Sequence, residues 1–500
     1  MKRSVYEINT RVWIHELSAL EGRPLTLADV PQAEIERIAD LPVDFVWLMG
    51  VWRGSPGGVA IARSHGGLLE EYRRVLPDWV PEDVIGSPYA VAEYSVAPSL
   101  GGTKGLAVIR DRLARRGIGL ILDFVPNHTA RDHAWISTRP DLFVNGRPED
   151  AAREPGNWFE AETFSGRRVI AHGRDPNFPG WTDTAQIDYR NPAAREALSN
   201  VLAAICSLCD GVRCDMAMLP LNDVFARTWG PRRDASGASL PGPRDEFWPQ
   251  SIAAVRSAHP RFIFMAEAYW GLEERLQELG FDYTYDKGLY DALVANDAGG
   301  VAAHLDGDVA GQSRRVRFIE NHDERRAAEA FSWERHQAAA VLTATVPGMT
   351  LYHEGQFDGR KTRLPVQLRR RPRESLDPRV RPFYETLLRA ASKAPFRAGE
   401  WRLLRAREAW PGSHWRGCIA QSWDAGAEGR AIVIVNLSDQ RGQFFVEVGS
   451  GFAGEGTVEL RDLLTGARFL RDAKELGRDG LYADLPPQGT MMLELLRHSA

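Results

Sequence analysis

Four short segments of the chain share one design, an apolar run that ends in polar, mostly ionisable residues. They are Ile121-Leu-Asp-Phe-Val-Pro-Asn-His128, Gly211-Val-Arg-Cys-Asp215, Phe262-Ile-Phe-Met-Ala-Glu267 and Phe318-Ile-Glu-Asn-His-Asp323. On a strand Arg213 and Asp215 stand two apart and point to the same side. A guanidinium there lowers the acid's pKa and keeps it ionised, as a carboxylate nucleophile must be. Glu267 follows an apolar stretch, a setting that raises a carboxyl's pKa and suits a general acid. Asp323 and His322 can hydrogen-bond the hydroxyls of a sugar ring, and Asn127-His128 closes its run in the same way. One ionised and one protonated carboxyl across a shared site are what cleavage of a glycosidic bond requires. Each piece also has a plain structural alternative: a buried Arg–Asp pair, a Glu reaching solvent, a helix-capping Asp, a turn after Pro126. Their recurrence at the ends of buried runs is what those alternatives do not explain.

The elements that must position these groups alternate. Strands are expected at 11–14, 44–49, 119–125, 211–215, 262–267, 281–285, 315–320 and 349–352, and helical spacing at 32–39, 105–116, 193–209, 249–259, from 287, and at 333–345. The strand runs are mostly apolar throughout, as in a parallel sheet covered on both faces. Eight β-then-α units predict an α/β fold, a closed (β/α)8 TIM barrel over 1–125 and 189–393, with working residues at the C-terminal ends of its strands. The segment 126–188, rich in Pro, Gly, Asn and Trp, is too long for a plain connection and is expected to form an inserted loop subdomain after strand three. From 394 to 500 alternating runs at 417–423, 430–436, 443–448 and 490–496 predict a C-terminal antiparallel β-sandwich.

Composition bounds the function classes. The chain has 500 residues, 44% apolar and 26% charged, with a net charge of −5, so nothing points to nucleic acid or an anionic membrane as partner. No run of about 18 apolar residues and no secretory signal pattern is present, and a cytoplasmic location is the default expectation. Cys206, Cys209, Cys214 and Cys418 lack a second ligand pair at zinc spacing and read as buried free thiols. The basic run Arg360-Lys-Thr-Arg363 to Arg369-Arg-Arg-Pro-Arg373 admits an anionic sugar such as a glycosyl phosphate, with a solvated loop or a salt-bridged surface the favoured alternative.

The segments resemble the four short sequence regions of the α-amylase superfamily, glycoside hydrolase family 13. Asp123-Phe-Val-Pro-Asn-His128 is similar to the first region, Gly211-Val-Arg-Cys-Asp215 to the second, Ala266-Glu267 to the third and Glu320-Asn-His-Asp323 to the fourth. Trp181-Thr-Asp-Thr-Ala-Gln-Ile-Asp188 resembles the extra region near the end of the long third loop, and Pro88-Tyr89-Ala-Val-Ala-Glu-Tyr94 the segment whose first Tyr stacks on the sugar. The resemblance implies a retaining α-glycoside hydrolase acting on an α-glucan, a maltooligosaccharide or an α-linked disaccharide. Asp215 would be the nucleophile, Glu267 the acid/base and Asp323 the ring clamp, with Tyr89, His128, Arg213 and His322 binding substrate. The alternatives are a transglycosylase of the same superfamily, one using a phosphorylated sugar included, and an inactive glycan-binding relative. No cofactor and no metal are expected, although Asn127 matches a position that ligates calcium in many members. The sequence departs from many amylases in Met216-Ala-Met218, where a Lys-His pair is common, and in Tyr352-His-Glu-Gly-Gln356 at the eighth strand. Neither the oligomeric state nor the choice between hydrolysis and transfer is legible.

Overall fold

The computed structural model describes residues 2–232, 238–449, 452 and 456–497. Eight parallel strands close into a barrel: β1 (Ser4–Asn9), β2 (Phe45–Met49), β3 (Gly119–Phe124), β4 (Gly211–Cys214), β5 (Ile263–Ala266), β6 (Tyr283–Tyr285), β7 (Arg315–Arg317) and β8 (Met349–His353). Each pairs with its neighbours in chain order, and β8 returns to β1. Val5, Trp47, Ile121, Met265, Tyr285, Val316 and Leu351 fill the interior. Side chains of opposite parity, such as Val46, Leu122, Val212 and Phe264, pack outward under the helices. Alternation alone therefore sends Asp123, Arg213 and Asp215 inward with Ile121.

The first strand differs from expectation. The run Arg11–Ile14 lies in a helix, Thr10–Glu21, and the strand is Ser4–Asn9. Asn9 caps that helix by accepting from the Val12 N–H, Gly22 ends it in the left-handed region, and Val12, Trp13, Ile14 and Leu17 are its buried apolar residues. A short apolar run cannot by itself separate a strand from a buried helical turn. The remaining seven strands overlap the expected runs, six with ends trimmed by one to three residues and the last extended by one, to His353.

Two insertions rise from the barrel. The β2–β3 connection carries a hairpin, Trp52–Gly54 with Val91–Val96, and two helices, Pro56–Ala62 and Gly66–Val75, none of which was legible beforehand. Residues 126–188 hold a three-stranded sheet of Asn145–Gly146, Gly166–Ala171 and Trp158–Thr163, and a ribbon of His128–Ala130 with Thr184–Gln186. C-terminal to the barrel, a six-stranded and a three-stranded antiparallel sheet pack face to face through Ile432, Ile434 and Leu493 on one side and Phe444, Val446 and Leu481 on the other. The sandwich docks on the helix Trp333–Thr345, where Gln421 Nε2 donates to Thr345 Oγ1 at 2.8 Å and Trp423 Nε1 to Thr345 O at 2.7 Å.

The unusual strand-eight end has a structural occupation. Arg326 Nη1 reaches Glu320 Oε1 at 2.5 Å, His353 Nδ1 at 2.7 Å and the Glu354 carbonyl at 2.9 Å, all buried. Arg371 pairs with Glu354 at 2.7 Å and with Glu16 at 2.8 Å. Removing one partner of a buried ion pair leaves an uncompensated charge, so Arg326→Met is expected to destabilise by about 3 kcal/mol in denaturant unfolding. A loss under about 1 kcal/mol, the size of a surface pair, would contradict that role. Two more members of the basic run are tied down in the same way, Arg363 to Glu71 and Arg370 to Asp78 and Asp83. Arg363, Arg370 and Arg371 thus belong to salt bridges, the favoured reading of the run, whereas Arg360, Lys361, Arg369 and Arg373 have no such pair among the described residues.

Candidate active site

Register brings the strand-end acids level. Cys214 pairs with Phe124 on one side and Ala266 on the other, so the next residues, Asp215 and Glu267, emerge at the same height. Between them lies Arg213, fully buried, with Nη1 on Asp215 Oδ1 at 2.6 Å and Nη2 on Glu267 Oε2 at 2.7 Å. Trp47, Tyr89 and Tyr285 rings surround the guanidinium at 5.3, 5.2 and 5.7 Å. The sequence pairs Arg213 with Asp215 through strand alternation; in the fold one guanidinium contacts both acids. The expected direction for Asp215 is also corrected. Its burial pushes the carboxyl up, and the Arg213 charge and hydrogen bond oppose this without reversing it.

Glu267 is pushed up to about 7, first by burial and then by the Asp215 and Asp323 charges, against the pull of Arg213. Its Oε2 accepts from the Met216 N–H at 2.7 Å, and its Oε1 faces the Tyr269 hydroxyl at 2.7 Å. The Met216 N–H can only donate and the Arg213 charge lies against Oε2, so a proton on this acid sits on Oε1. Met216 takes φ 43°, a left-handed conformation for a non-glycine residue, directly after Asp215. That strain points its N–H at Glu267. Asp215 Oδ2 accepts no hydrogen bond from the described residues, which leaves its lone pairs open.

Asp323 is the exposed member of the group, its side chain 45% accessible. Burial works upward on it, but His322, 3.0 Å away through Nε2, holds it down at about 2. His322 is itself raised well above its ordinary value. Burial works against its charge, but Asp323 and Glu7, whose Oε1 is 2.5 Å from Nδ1, prevail. Tyr89 stacks on the His322 ring at 5.5 Å and its hydroxyl lies 2.8 Å from Nε2. His128 lies near the Tyr89 backbone, its ring 5.2 Å from that of Trp181, and is pushed down to about 4 by burial, so it is neutral.

All seven residues singled out in the sequence, Tyr89, His128, Arg213, Asp215, Glu267, His322 and Asp323, thus converge on one end of the barrel. Three more belong to the cluster and were missed. Glu7 at the end of β1 anchors His322, Tyr269 meets Glu267, and Asp123 accepts from Trp47 Nε1 and the Gly50 N–H and is pushed up to about 6 by burial. Glu7 carried a related signal, a carboxylate within the apolar run Val5-Tyr-Glu-Ile8. Glu7→Gln removes one of the two charges that keep His322 protonated. The expected result is a fall of its imidazole titration toward the ordinary histidine range, read by nitrogen NMR; an unmoved titration would contradict the assignment.

Asn127 is the position at which the family resemblance admits calcium. Its amide is engaged with Gln186, which donates to Oδ1 at 2.9 Å and accepts from Nδ2 at 3.3 Å. Among the described residues no group of three or more His, Cys, Asp or Glu is arranged to hold a metal ion. Among the same residues no helix is long and apolar enough to cross a membrane.

Comparison with known proteins agrees with this geometry. A family model described as alpha amylase, catalytic domain, matches residues 36–363. The alpha-amylase MalA of Haloarcula japonica is 24% identical over 278 residues, which are 54% of this chain and 36% of that protein. The trehalose synthase/amylase TreS of Mycolicibacterium smegmatis is 29% identical over 143 residues, 24% of this chain and 22% of that protein. The chain thus spans little more than a third of the first relative's length and less of the second's. Among solved structures, the noncanonic maltogenic alpha-amylase AmyB of Thermotoga neapolitana superposes with a TM-score of 0.69 over 99% of each chain at 18% identity, a likeness of fold. A match over well more than half the chain, on a closed barrel with three acids at its strand ends, means that this chain belongs to the alpha-amylase family.

Proposed function

We propose that this chain is a retaining α-glycosidase that cleaves α-glucosidic bonds of oligo- or polysaccharides through a covalent glycosyl–Asp215 intermediate. The observation that carries the proposal is the single Arg213 guanidinium bonded to both Asp215 and Glu267. Two carboxyls within one guanidinium's span suit the retaining spacing of about 5–5.5 Å better than the wider inverting one, which must admit a water between them.

The steps follow from the protonation states. Asp215 attacks the anomeric carbon through Oδ2, the oxygen without a hydrogen-bond donor, while Oδ1 stays on Arg213. Glu267 passes the Oε1 proton to the departing glycosidic oxygen, and the bond electrons leave with that oxygen. Glu267, now a carboxylate, takes a proton from water as the water oxygen displaces Asp215 from the anomeric carbon. Asp323, ionised beside His322, binds ring hydroxyls, and Tyr89 flanks the same space.

Transfer is the second reading, because one relative is named a trehalose synthase/amylase and because Met216-Ala-Met218 offers no ionisable group on the leaving-group side. The test is turnover of α-glucans, maltooligosaccharides, sucrose and trehalose, with products separated in the presence and absence of an added acceptor sugar. Free reducing sugar as the main product supports hydrolysis, and dominant transfer products replace it with transglycosylation. No turnover of any α-glucoside would overturn both.

A further inference from the structure

Outside the acid cluster, a pocket of about 810 Å3 opens between the helix Thr10–Glu21 and the Trp52–Gly54 hairpin. Its volume is that of a small-molecule site. Four cationic or basic side chains line it, Arg11, His15, Arg23 and Arg369, and no Asp or Glu does, although acids outnumber bases in the whole chain. Trp52 and Leu100 provide apolar wall.

Arg369, like Arg360, Lys361 and Arg373, has no carboxylate partner among the described residues, and of these four it alone lines the pocket. Arg363, Arg370 and Arg371 have carboxylate partners, whereas the Arg369 guanidinium has no hydrogen bond or ion pair with any described residue, and its Nε is shut off from water. Only its backbone is tied down, by donation to the Asp83 carbonyl. Arg11 bonds two neutral carbonyls, Gly50 O and Gly86 O, each at 3.1 Å, and burial lowers it to about 10. No carboxylate hydrogen-bonds it, and the Asp123 charge acts on it only through space. His15 is four residues on from Arg11, so both face the same way from the helix. Arg369 adjoins His15 closely enough to disfavour its protonation. Arg23 is paired only loosely, 3.6 Å from Asp29.

Partly buried guanidinium groups that no carboxylate hydrogen-bonds leave a pocket suited to an anion. The planar donor fork of arginine matches phosphate oxygens in pairs. Two guanidinium groups facing one cavity match a dianion better than a single carboxylate. We propose that this pocket is a second binding site, separate from the acid cluster, for a small phosphomonoester, with the phosphate on Arg369 and Arg11 and the organic body against Trp52 and Leu100.

The test is calorimetric titration of the full chain with phenyl phosphate, inorganic phosphate, benzoate and phenol. Phenyl phosphate is expected to bind saturably at one site. Inorganic phosphate lacks the apolar body and benzoate the second charge, and each is expected to bind more weakly; phenol is expected not to bind. Arg369→Gln is expected to weaken phenyl phosphate by about tenfold or more, the worth of a charge-assisted hydrogen bond. Ala19→Trp, at an exposed helix position on the pocket's edge, should do the same by filling it, and it decides the matter if the Arg369 variant folds poorly. Absence of saturable binding, benzoate or phenol binding as tightly as phenyl phosphate, or phenyl phosphate binding unchanged in the folded variants would overturn the proposal.

Discussion

Asp215→Asn is expected to lower kcat on any α-glucoside by on the order of 10⁴-fold or more, the scale seen when an enzyme loses its nucleophile. Asparagine keeps the volume of the side chain, and its carbonyl oxygen can still accept from Arg213 Nη1, so the fold and the barrel interior are retained. What is lost is the negative oxygen that attacks the anomeric carbon. Arg213 keeps its ion pair with Glu267, and burial already disfavours the ionised Asp215 carboxyl, so a neutral amide there should leave the variant unfolding no more readily than the parent. A variant that is folded and inactive separates chemistry from stability. A variant with kcat within about tenfold of the parent would mean that another group forms the bond, or that none does.

Glu267→Gln has the second-largest expected effect, a fall of about 10²–10⁴-fold in kcat on a substrate with a poor leaving group, the usual worth of a general acid. The substrate dependence is the diagnostic part. An α-glucosyl fluoride needs no proton to depart, so its first step should survive and the glycosyl-enzyme should accumulate. Azide, which attacks without giving up a proton, should then restore turnover. The pH profile carries the same information. Burial raises Glu267 to about 7, so the acid is protonated below that pH and loses its proton above it. In the parent, kcat/KM on a natural glucoside should therefore fall as pH rises through about 7, and in Glu267→Gln that alkaline limb should vanish. Equal losses on both substrates, or an alkaline limb that survives the substitution, would remove Glu267 from the acid role.

Much of this site is legible in the sequence because the information is local. Arg213 and Asp215 share a face through strand alternation alone, and the apolar stretch before Glu267 announces its raised pKa. The barrel is legible for the same reason, since each strand is a short apolar run followed by a helical period. What the sequence withholds is set across strands. That Arg213 also grips Glu267 depends on the register of β4 against β5, and no spacing within either strand encodes it. Glu7 was hidden behind the nearby run Arg11–Ile14, whose apolar residues satisfy a helix as well as a strand. The strands Thr457–Asp462 and Arg468–Asp472 lie at one edge of the larger sandwich sheet, where exposed charged side chains interrupt the apolar signal. The ion pairs that absorb Arg370 and Arg371 join residues hundreds of positions apart, so only the fold separates them from Arg369.

The most direct measurement is mass spectrometry of the peptide that carries Asp215 after incubation with a fluorinated α-glucosyl fluoride. The fluorine on the ring slows breakdown of the glycosyl-enzyme more than its formation. The predicted result is one added fluoroglucosyl mass on the peptide, localised by fragmentation to Asp215 and absent from Asp215→Asn. An adduct on another residue, or full turnover of the reagent with release of a β-configured product and no adduct, would contradict a retaining mechanism through Asp215.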